Sequence, residues 1–398
     1  MADAYDHRDR CAIAGIGSTE FSRQSGRSAL TLATEAGRSA IEDAGLRPAD
    51  VDGVVRCVDD VVLHNDLVES LGTGNITFWS HAGLGGTAPC AMIGHAIGAI
   101  LSGQATTVLC YRSLNGRSGR RFGGGWGRDA TVAGGEEQNR YDEFFHPYGL
   151  TAPGQMFAIM AQRHMIEYGT THEQMGHIAL VCRERALTNP LAQMNDRPLT
   201  MEAFLTARPI SSPLRLFDYC LETDGASAVV VTSTERARDL AKPAVRIRAV
   251  AQGTGDHPLP GRAMTALLRE SITSAPSKAV ATELYRRAGL GPSDINVAQL
   301  YDCFTITVLI ELEDYGFCGP GESGPFVEGG AIDLGGSLPI NTGGGHLSEG
   351  YIHGMNHVVE GVRQMRGTST SQVPGAGTCL VTSGIPPASS AMILTVDS

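Results

Sequence analysis

A nine-residue string occurs twice in the chain, as AGLRPADVD from Ala44 and as AGLGPSDIN from Ala288, 244 residues apart. Each copy follows an alanine-rich amphipathic segment, Ser28 to Asp43 in the first case and Ser277 to Ala288 in the second. A glycine that is soon followed by proline is typical of the end of a helix, so both segments are predicted to be helices. The repeat therefore predicts two similar halves related by duplication.

Each predicted helix is preceded by a segment that has the composition of a buried strand, CAIAGIG from Cys11 and AVRIRAVAQG from Ala244. This order predicts an α/β fold with two βαβ halves. The boundary is placed near Lys242 and Pro243, because proline cannot continue the preceding helix. Residues 1–242 are then the first half and 243–398 the second, with an inserted loop domain from about 115 to 205.

Composition and charge exclude several classes of protein. The formal net charge of −11 argues against a general nucleic-acid binder. No apolar run reaches the roughly 18 residues of a membrane-spanning helix, and the charged start MADAYDHRDR is unlike a signal peptide. Nine cysteines without a C-x-x-C pair indicate reduced thiols and predict a cytoplasmic protein.

One basic segment, YRSLNGRSGRRFGGGWGR, stands out in this acidic chain. Its arginines include Arg117, Arg120 and Arg121. The pattern is compatible with a solvated loop and equally with a phosphate-binding site.

Three further strings carry information about chemistry: HAGLGGTAPCAMIGHAIGAILSG from His81, YDCF from Tyr301 and NTGGGHLSEGYIHG from Asn341. Together with the DGASAVVV strand and the duplicated halves, they resemble the thiolase superfamily over essentially the whole chain. The likeness is greatest to the sterol-carrier-protein-type thiolases and their bacterial lipid-transfer relatives. It implies the thiolase fold, in which two pseudo-symmetric βαβαβαββ halves form five layers, α-β-α-β-α.

The resemblance also shows which thiolase groups this chain lacks. Aligning Gly-Gly-Thr-Ala with the family places Ala82 at the position of the nucleophilic cysteine, and Ser383 at that of the last family cysteine. Cys90 is the alternative nucleophile, but it is expected two turns into the helix, without a helix N-terminus or a cation to lower its pKa. An acyl-enzyme thiolase mechanism is therefore not expected.

A tyrosine occupies each of two family catalytic positions. Tyr301 replaces the first residue of the His-Asp-Cys-Phe string, and Tyr351 replaces the histidine of the Gly-His-Pro string. Paired tyrosines resemble the thiolase-like aldolases of bacterial steroid side-chain degradation. That resemblance implies retro-aldol cleavage of a β-hydroxyacyl-CoA, for which we expect Tyr301 to be the base on the hydroxyl and Tyr351 the acid at the enolate. The supporting or oxyanion-binding residues are expected to be Asp302, Cys303, His346, His353 and Gly384.

The same resemblance suggests a substrate and leaves alternatives open. The favoured reaction converts a 17-hydroxy steroid bearing a three-carbon CoA thioester into a 17-ketosteroid and propionyl-CoA, with Arg117, Arg120 and Arg121 as weak candidates for CoA binding. A longer sterol or bile-acid side chain is the first alternative, and a non-catalytic lipid carrier or scaffold is the second.

Other aldolase mechanisms find little support in the sequence. The chain has two lysines, Lys242 before a proline and Lys278 at a helix start, and neither is convincing for a Schiff base. A zinc site built from His346, His353 and His357 is a further alternative, but no metal and no cofactor other than the CoA of the substrate is expected.

The resemblance implies two partners. One is a second copy of the chain, since thiolase-fold proteins dimerise through the central sheet. The other is a small OB-fold protein with a zinc ribbon, associated with the preceding acyl-CoA hydratase. Neither a nucleic acid nor a membrane is expected as a partner.

Overall fold

The computed structural model describes residues 5–119, 121, 144–255, 264–384 and 386–396. Strands and helices alternate along the first 115 residues of the chain. They are β1 (Cys11–Ser18), α1 (Ala29–Asp43), β2 (Gly53–Cys57), α2 (His64–Leu71), β3 (Phe78–Ala82), α3 (Ala88–Leu101) and β4 (Thr107–Asn115).

A segment of helices and two short strands separates β4 from the next long strand. It contains α4 (Pro153–Tyr168), α5 (His172–Thr188), α6 (Met201–Thr206), β5 (Pro209–Ser211) and β6 (Leu214–Arg215). The buried strand β7 (Asp224–Ser233) follows, and then the four-residue helix α7 (Thr234–Ala237).

The remaining chain repeats the order of the first part. It contains β8 (Val245–Gly253), α8 (Ser277–Ala288), β9 (Val297–Gln299), α9 (Thr305–Asp314), α10 (Ser323–Glu328), α11 (Met355–Arg366), β10 (Thr378–Ser383) and β11 (Ser389–Thr395). The predicted helix from Ser277 to Ala288 has these same bounds, and α1 begins one residue after the predicted start because Ser28 is its N-cap.

The sheet confirms the duplication. Within the described residues its strand order is β3-β2-β4-β7-β1-β8-β11-β10-β9. The pairings from β1 outward match those from β8 outward. Strands β2 and β4 are parallel, as are β9 and β10. Strands β7 and β11 are each antiparallel to both of their neighbours. An isolated parallel bridge between Ala298 and Ile340 stands where the second half lacks a counterpart of β3.

The two half-sheets meet at only two residue pairs of β1 and β8, and otherwise face each other across two helices. Helices α3 and α11 contact strands of both half-sheets, whereas α1 packs on β1, β4 and β7, and α8 packs on β8 and β11. This is the expected five-layered α-β-α-β-α arrangement. The central position explains the composition of α3, whose side chains Met92 and Ile93 are fully buried.

No helix in the described part of the chain combines the length and the apolar character needed to cross a membrane. Both lysines, Lys242 and Lys278, are exposed.

Glycines in β1 allow helix α1 to approach the sheet closely. A Cβ atom built at Gly15 would lie 2.0 Å from the backbone oxygen of Ala40 in α1. We therefore expect Gly15→Ala to reduce the free energy of unfolding by about 1–3 kcal/mol, since the helix must move outward. Chemical denaturation measures this change. Gly98→Ala in α3 is the control, because a Cβ there meets nothing within 4 Å, and equal stability of both variants would contradict the close-packing argument.

Candidate active site

The two tyrosines predicted to be catalytic lie in direct contact. The hydroxyl oxygens of Tyr301 and Tyr351 are 2.8 Å apart, although 50 residues separate them in sequence. Tyr301 lies between β9 and α9 and is 4% exposed, while Tyr351 is half-buried. The hydrogen bond between two phenols at this distance means that one donates and the other accepts.

Backbone hydrogen bonds fix both tyrosines. The Tyr301 N–H donates to Glu311 Oε2 at 2.9 Å and to Thr382 Oγ1 at 2.8 Å. Burial raises the pKa of Glu311 well above its usual value. The Tyr351 N–H donates to Thr223 Oγ1 at 3.0 Å, directly after a single turn of π-helix over Gly345–Glu349.

The segment that carries the nucleophile in thiolases faces this tyrosine pair. Ala82, the residue predicted to stand at the nucleophile position, ends β3 and is 5% exposed. A Cβ built at Gly86 would lie 1.8 Å from the Tyr301 hydroxyl, and one built at Gly85 would lie 3.5 Å from the His353 ring. The glycines after Ala82 therefore leave the room that the phenol occupies.

The position expected for Cys90 was wrong. The residues after Ala82 form a 3₁₀ turn, so α3 begins only at Ala88 and Cys90 lies in the first helical turn. The residue is nevertheless no nucleophile, because it is fully buried and burial raises the pKa of its thiol to about 12. The Ser383 hydroxyl lies 3.2 Å from its sulfur, so the two positions face each other behind the tyrosines.

Asp302 ties the two tyrosine-bearing segments together. Its carboxylate accepts hydrogen bonds from the backbone N–H groups of His346 at 2.8 Å and Leu347 at 3.2 Å, and from His357 Nε2 at 3.0 Å. Burial by itself raises the pKa of Asp302, but the opposing effects of His346 and His357 leave the pKa at about 2. Asp302 is therefore ionised and serves as an anchor rather than as an acid.

His346 lies edge-on between the tyrosines. Its ring centroid is 4.8 Å from that of Tyr301 and 5.0 Å from that of Tyr351. Burial lowers the pKa of His346 well below its usual value, so the ring is neutral. Cys303 accepts a backbone hydrogen bond from Cys220 at 3.0 Å, and burial raises the pKa of both thiols. These groups surround the phenols with uncharged side chains.

His353 is held by an arginine that the sequence did not single out as part of the site. Arg112 Nη2 and Nε lie 2.8 and 3.2 Å from His353 Nδ1. In the sequence, Arg112 is the first arginine of the basic segment, yet it lies in β4 with a side chain 1% exposed. The apolar run that precedes Arg112 in the buried strand β4 and the acidic pair Asp59 and Asp60 are the signals that could have placed it inside the protein.

Two further arginines of the basic segment, Arg117 and Arg121, have local partners. Arg121 forms an ion pair with Glu222 at 2.6 Å, and Arg117 approaches the same carboxylate at 3.8 Å. Arg120 lies outside the described residues. CoA binding by these arginines stays a prediction. Gly384, the expected oxyanion donor, packs with a φ of +68° against Thr87 in the turn before α3.

The structure brings together two of the three histidines considered for a zinc site, His346 and His357. His353 bonds to Arg112, whereas a possible ligand set in the described residues is Asp302, His346 and His357. The Asp302 carboxylate in that set already accepts hydrogen bonds from His357 and from two backbone N–H groups. We interpret the cluster as a hydrogen-bonded anchor.

Burial and neighbours raise the pKa of both phenols well above the usual value. For Tyr301, burial and the charge of Tyr351 act in the same direction, and the hydrogen bond with Tyr351 adds to them. For Tyr351, burial, Cys220 and Cys303 raise the pKa, whereas the Tyr301 hydrogen bond and the Arg112 guanidinium lower it. The neighbours therefore act differently on the pKa values of the two phenols.

Fold and site together define a thiolase-like protein without a nucleophile, and comparisons with known proteins agree. Residues 263–396 match the family model for the thiolase C-terminal domain-like region. A steroid side-chain-cleaving aldolase from Thermomonospora curvata is 46% identical over 97% of this chain and 98% of its own length. A 17-hydroxy-3-oxo-4-pregnene-20-carboxyl-CoA lyase from Mycobacterium tuberculosis is 44% identical over 97% of this chain and 99% of its own length.

Solved structures give the same result. The solved structure named "Ltp2-ChsH2(DUF35) aldolase" aligns with a TM-score of 0.91 and 44% identity over 98% of both chains. Human mitochondrial 3-ketoacyl-CoA thiolase, at 15% identity and a TM-score of 0.71 over 98% of this chain and 99% of its own, shares the fold. The chain belongs to the thiolase superfamily and, within it, to the family of the steroid side-chain-cleaving aldolases.

The ionisation of Asp302 predicts that its contribution to the free energy of unfolding depends on pH. Its pKa in the folded protein is lowered from 3.8 to about 2, so its contribution is present above pH 4 and is lost as the pH falls towards 2. We expect Asp302→Asn to lower the free energy of unfolding by on the order of 2 kcal/mol at neutral pH. At pH 3 the difference in the free energy of unfolding between wild type and Asp302→Asn should be about half as large.

Chemical denaturation at the two pH values measures this difference. The exposed Asp239→Asn variant is the control for removing a carboxylate without an anchoring role. A loss that stays constant between neutral and acidic pH would show that Asp302 does not act as a buried anion.

Proposed function

We propose that the chain catalyses retro-aldol cleavage of a steroid side chain carried as a β-hydroxyacyl-CoA thioester. The favoured substrate is a 17-hydroxy steroid C22 acyl-CoA, which gives a 17-ketosteroid and propionyl-CoA. The observation that carries this proposal is the contact of 2.8 Å between the Tyr301 and Tyr351 hydroxyls, beside the glycine turn that follows Ala82. The names of the two relatives described above support the substrate class.

The reaction needs two proton transfers and no covalent intermediate. A base removes the proton of the β-hydroxyl, and the electron pair of the O–H bond forms the carbonyl as the Cα–Cβ bond breaks. The electrons of that bond become a thioester enolate, which hydrogen-bond donors stabilise. An acid then protonates Cα and releases the shortened acyl-CoA. We retain the Gly384 N–H as a candidate donor to the enolate oxygen.

We propose that Tyr351 is the base and Tyr301 the acid, which reverses the roles expected from sequence. The shared hydrogen bond lowers the pKa of Tyr351 and raises that of Tyr301. A phenolate at Tyr351 would accept from the neutral Tyr301, and the two groups titrate as a pair. After Tyr351 has taken the substrate proton, Tyr301 still carries the proton that Cα requires.

Competing mechanisms lack comparable support. Lys242 and Lys278 are both exposed, which is unsuitable for a Schiff base that needs a desolvated amine. A lipid carrier has no need for two hydroxyls in hydrogen-bond contact inside a pocket of neutral side chains. We propose that neither a metal nor a cofactor takes part, and activity after chelator treatment tests this point.

Removing either hydroxyl should abolish most of the activity. We expect Tyr301→Phe and Tyr351→Phe to reduce turnover by roughly 10²–10⁴-fold, the usual contribution of a general acid or base. The assay follows propionyl-CoA release from the 17-hydroxy acyl-CoA ester by mass spectrometry. Tyr285→Phe, which removes a hydroxyl bonded to the Tyr315 carbonyl oxygen, is the control.

The outcomes separate the alternatives. Near-normal turnover in both Phe variants would contradict the tyrosine mechanism. If the wild-type protein does not cleave the 17-hydroxy acyl-CoA ester but cleaves an ester with a longer sterol or bile-acid side chain, the substrate is the longer one. Binding of the esters without any cleavage would favour the carrier.

We also propose that the protein is a homodimer formed through β3. This strand is an edge of the sheet and pairs only with β2 among the described strands. Trp79 on it is 55% exposed, and Val61 and Leu63 nearby are exposed too. An apolar edge strand of this kind is normally covered by another chain.

We expect Trp79→Asp to convert the dimer to a monomer, because the change places a charge in the interface. Light scattering measures the mass. Leu268→Asp, at an exposed leucine outside this edge, should leave the mass unchanged. A wild-type monomer, or a dimer that persists in the Trp79 variant, would exclude this interface.

The second proposed partner is an OB-fold protein with a zinc ribbon, associated with an acyl-CoA hydratase. The similar aldolase structure described above carries a name that joins two components, Ltp2 and ChsH2(DUF35), which supports a partner protein. Co-expression with such a protein, followed by size analysis and the propionyl-CoA assay, tests it. We further propose a cytoplasmic location, which the nine free cysteines support.

A further inference from the structure

A buried cluster of charges lies directly beside the tyrosine pair. Arg112 in β4 has Nη1 3.0 Å from Asp60 Oδ2 and Nη2 3.3 Å from Asp59 Oδ1. Its side chain is 1% exposed. An arginine buried to this degree is costly unless it is fully paired, so its geometry is closely determined by its partners.

The two carboxylates have backbone partners as well. Asp60 accepts from the N–H groups of Val62 and Ser113, and Asp59 accepts from the N–H of Gly85 at 3.2 Å. Asp59 thus connects the arginine to the glycine turn that lies against Tyr301. The cluster holds the turn and the arginine in one arrangement.

The remaining donors of Arg112 determine the state of His353. Nε and Nη2 of the guanidinium point at His353 Nδ1, which must accept, so the ring proton resides on Nε2. Burial and the arginine lower the pKa of His353 to about 3, which keeps the ring neutral. His353 also has a φ of +53°, an unusual conformation that the surrounding structure must impose.

We propose that Arg112, acting through His353, is a positioning residue that directs proton loss in the tyrosine pair to Tyr351 rather than to Tyr301. The His353 ring packs edge-on against the Tyr351 ring, with 4.9 Å between the two centroids. The arginine that holds His353 therefore also determines how the histidine ring lies against this phenol. This inference rests on the proposed function, because it concerns which tyrosine serves as the base.

The surroundings of Tyr351 support this role for the arginine. The groups that face Tyr351 or its partner phenol are Arg112 in β4, Cys220 before β7, Tyr301 and Cys303 before α9, and His346 and His353 from its own segment. Two carboxylates contact these groups in turn, Asp59 at Arg112 and Asp302 at His346. Of these, the histidines are neutral, Asp302 is bonded to backbone N–H groups on the side of Tyr301, and Asp59 is paired with Arg112. Arg112 is the positive charge in this set.

The test compares pH profiles of kcat/KM for wild type, Arg112→Lys and Arg112→Met. In the Met variant we expect the ascending limb of the kcat/KM profile to move to higher pH by about one unit. At pH values below that limb, kcat/KM should then be roughly tenfold lower than in the wild type. The Lys variant, which keeps the charge, should restore most of the shift. Arg366→Met, which removes another buried arginine far from the pair, should leave the limb in place.

A second measurement needs no substrate. Ultraviolet difference titration follows tyrosinate formation, and comparison with Tyr351→Phe identifies the contribution of this phenol among the ten tyrosines. We expect that contribution to move to higher pH in Arg112→Met. If no acyl-CoA is cleaved but this shift occurs, the proposed function fails and the inference stands.

The histidine provides variants in case the arginine variant does not fold. His353→Gln can still accept from Arg112 and donate onward, whereas His353→Leu can do neither, and both carry a similar backbone cost at positive φ. We expect the Gln variant to keep the wild-type limb and the Leu variant to shift it upward. A uniform loss of activity with unchanged pH profiles and titrations would reduce Arg112 to a structural role and overturn the inference.

Discussion

The hydrogen bonds to the Asp302 carboxylate are the interaction on which the site depends. Tyr301 and Tyr351 are 50 residues apart, and each belongs to a loop that would otherwise be free to move. Asp302, adjacent to Tyr301, accepts from the backbone of His346 and Leu347 and so draws the second loop against the first. A carboxylate that accepts several N–H groups remains ionised even when buried, which makes this contact a durable one.

The groups around this anchor suit proton transfer by phenols rather than attack by a thiolate. A thiolase needs a thiolate of lowered pKa, but burial raises the pKa of each thiol near this site, Cys90, Cys220 and Cys303. The glycine turn that follows Ala82 accommodates a phenol. Neutral side chains enclose two hydroxyl groups, and in such surroundings a single nearby cation has a large influence on which group ionises.

How much of the protein could be predicted differs between fold and site. Both helices of the repeated segments were predicted nearly to the residue, because their caps and glycine ends are local signals. The two tyrosines were found because each replaces a residue in a short motif. The start of α3 was misplaced, since the 3₁₀ turn over residues 85–87 leaves no distinctive mark on the sequence. Arg112 was assigned to a basic loop segment because burial is not visible in a run of arginines.

The sequence by itself determined the duplicated α/β architecture and the presence of tyrosines at two positions of the family's catalytic motifs, and it predicted the loss of the thiolase nucleophile. These features are encoded within short stretches of chain, through periodicity, capping and motif spacing. Only the tertiary structure decided that the tyrosine hydroxyls touch, that His353 bonds to Arg112, and that the two phenols differ in their surroundings. Each of these facts depends on side chains brought together from distant segments, and on the loss of water around them, which raises the cost of every unpaired charge.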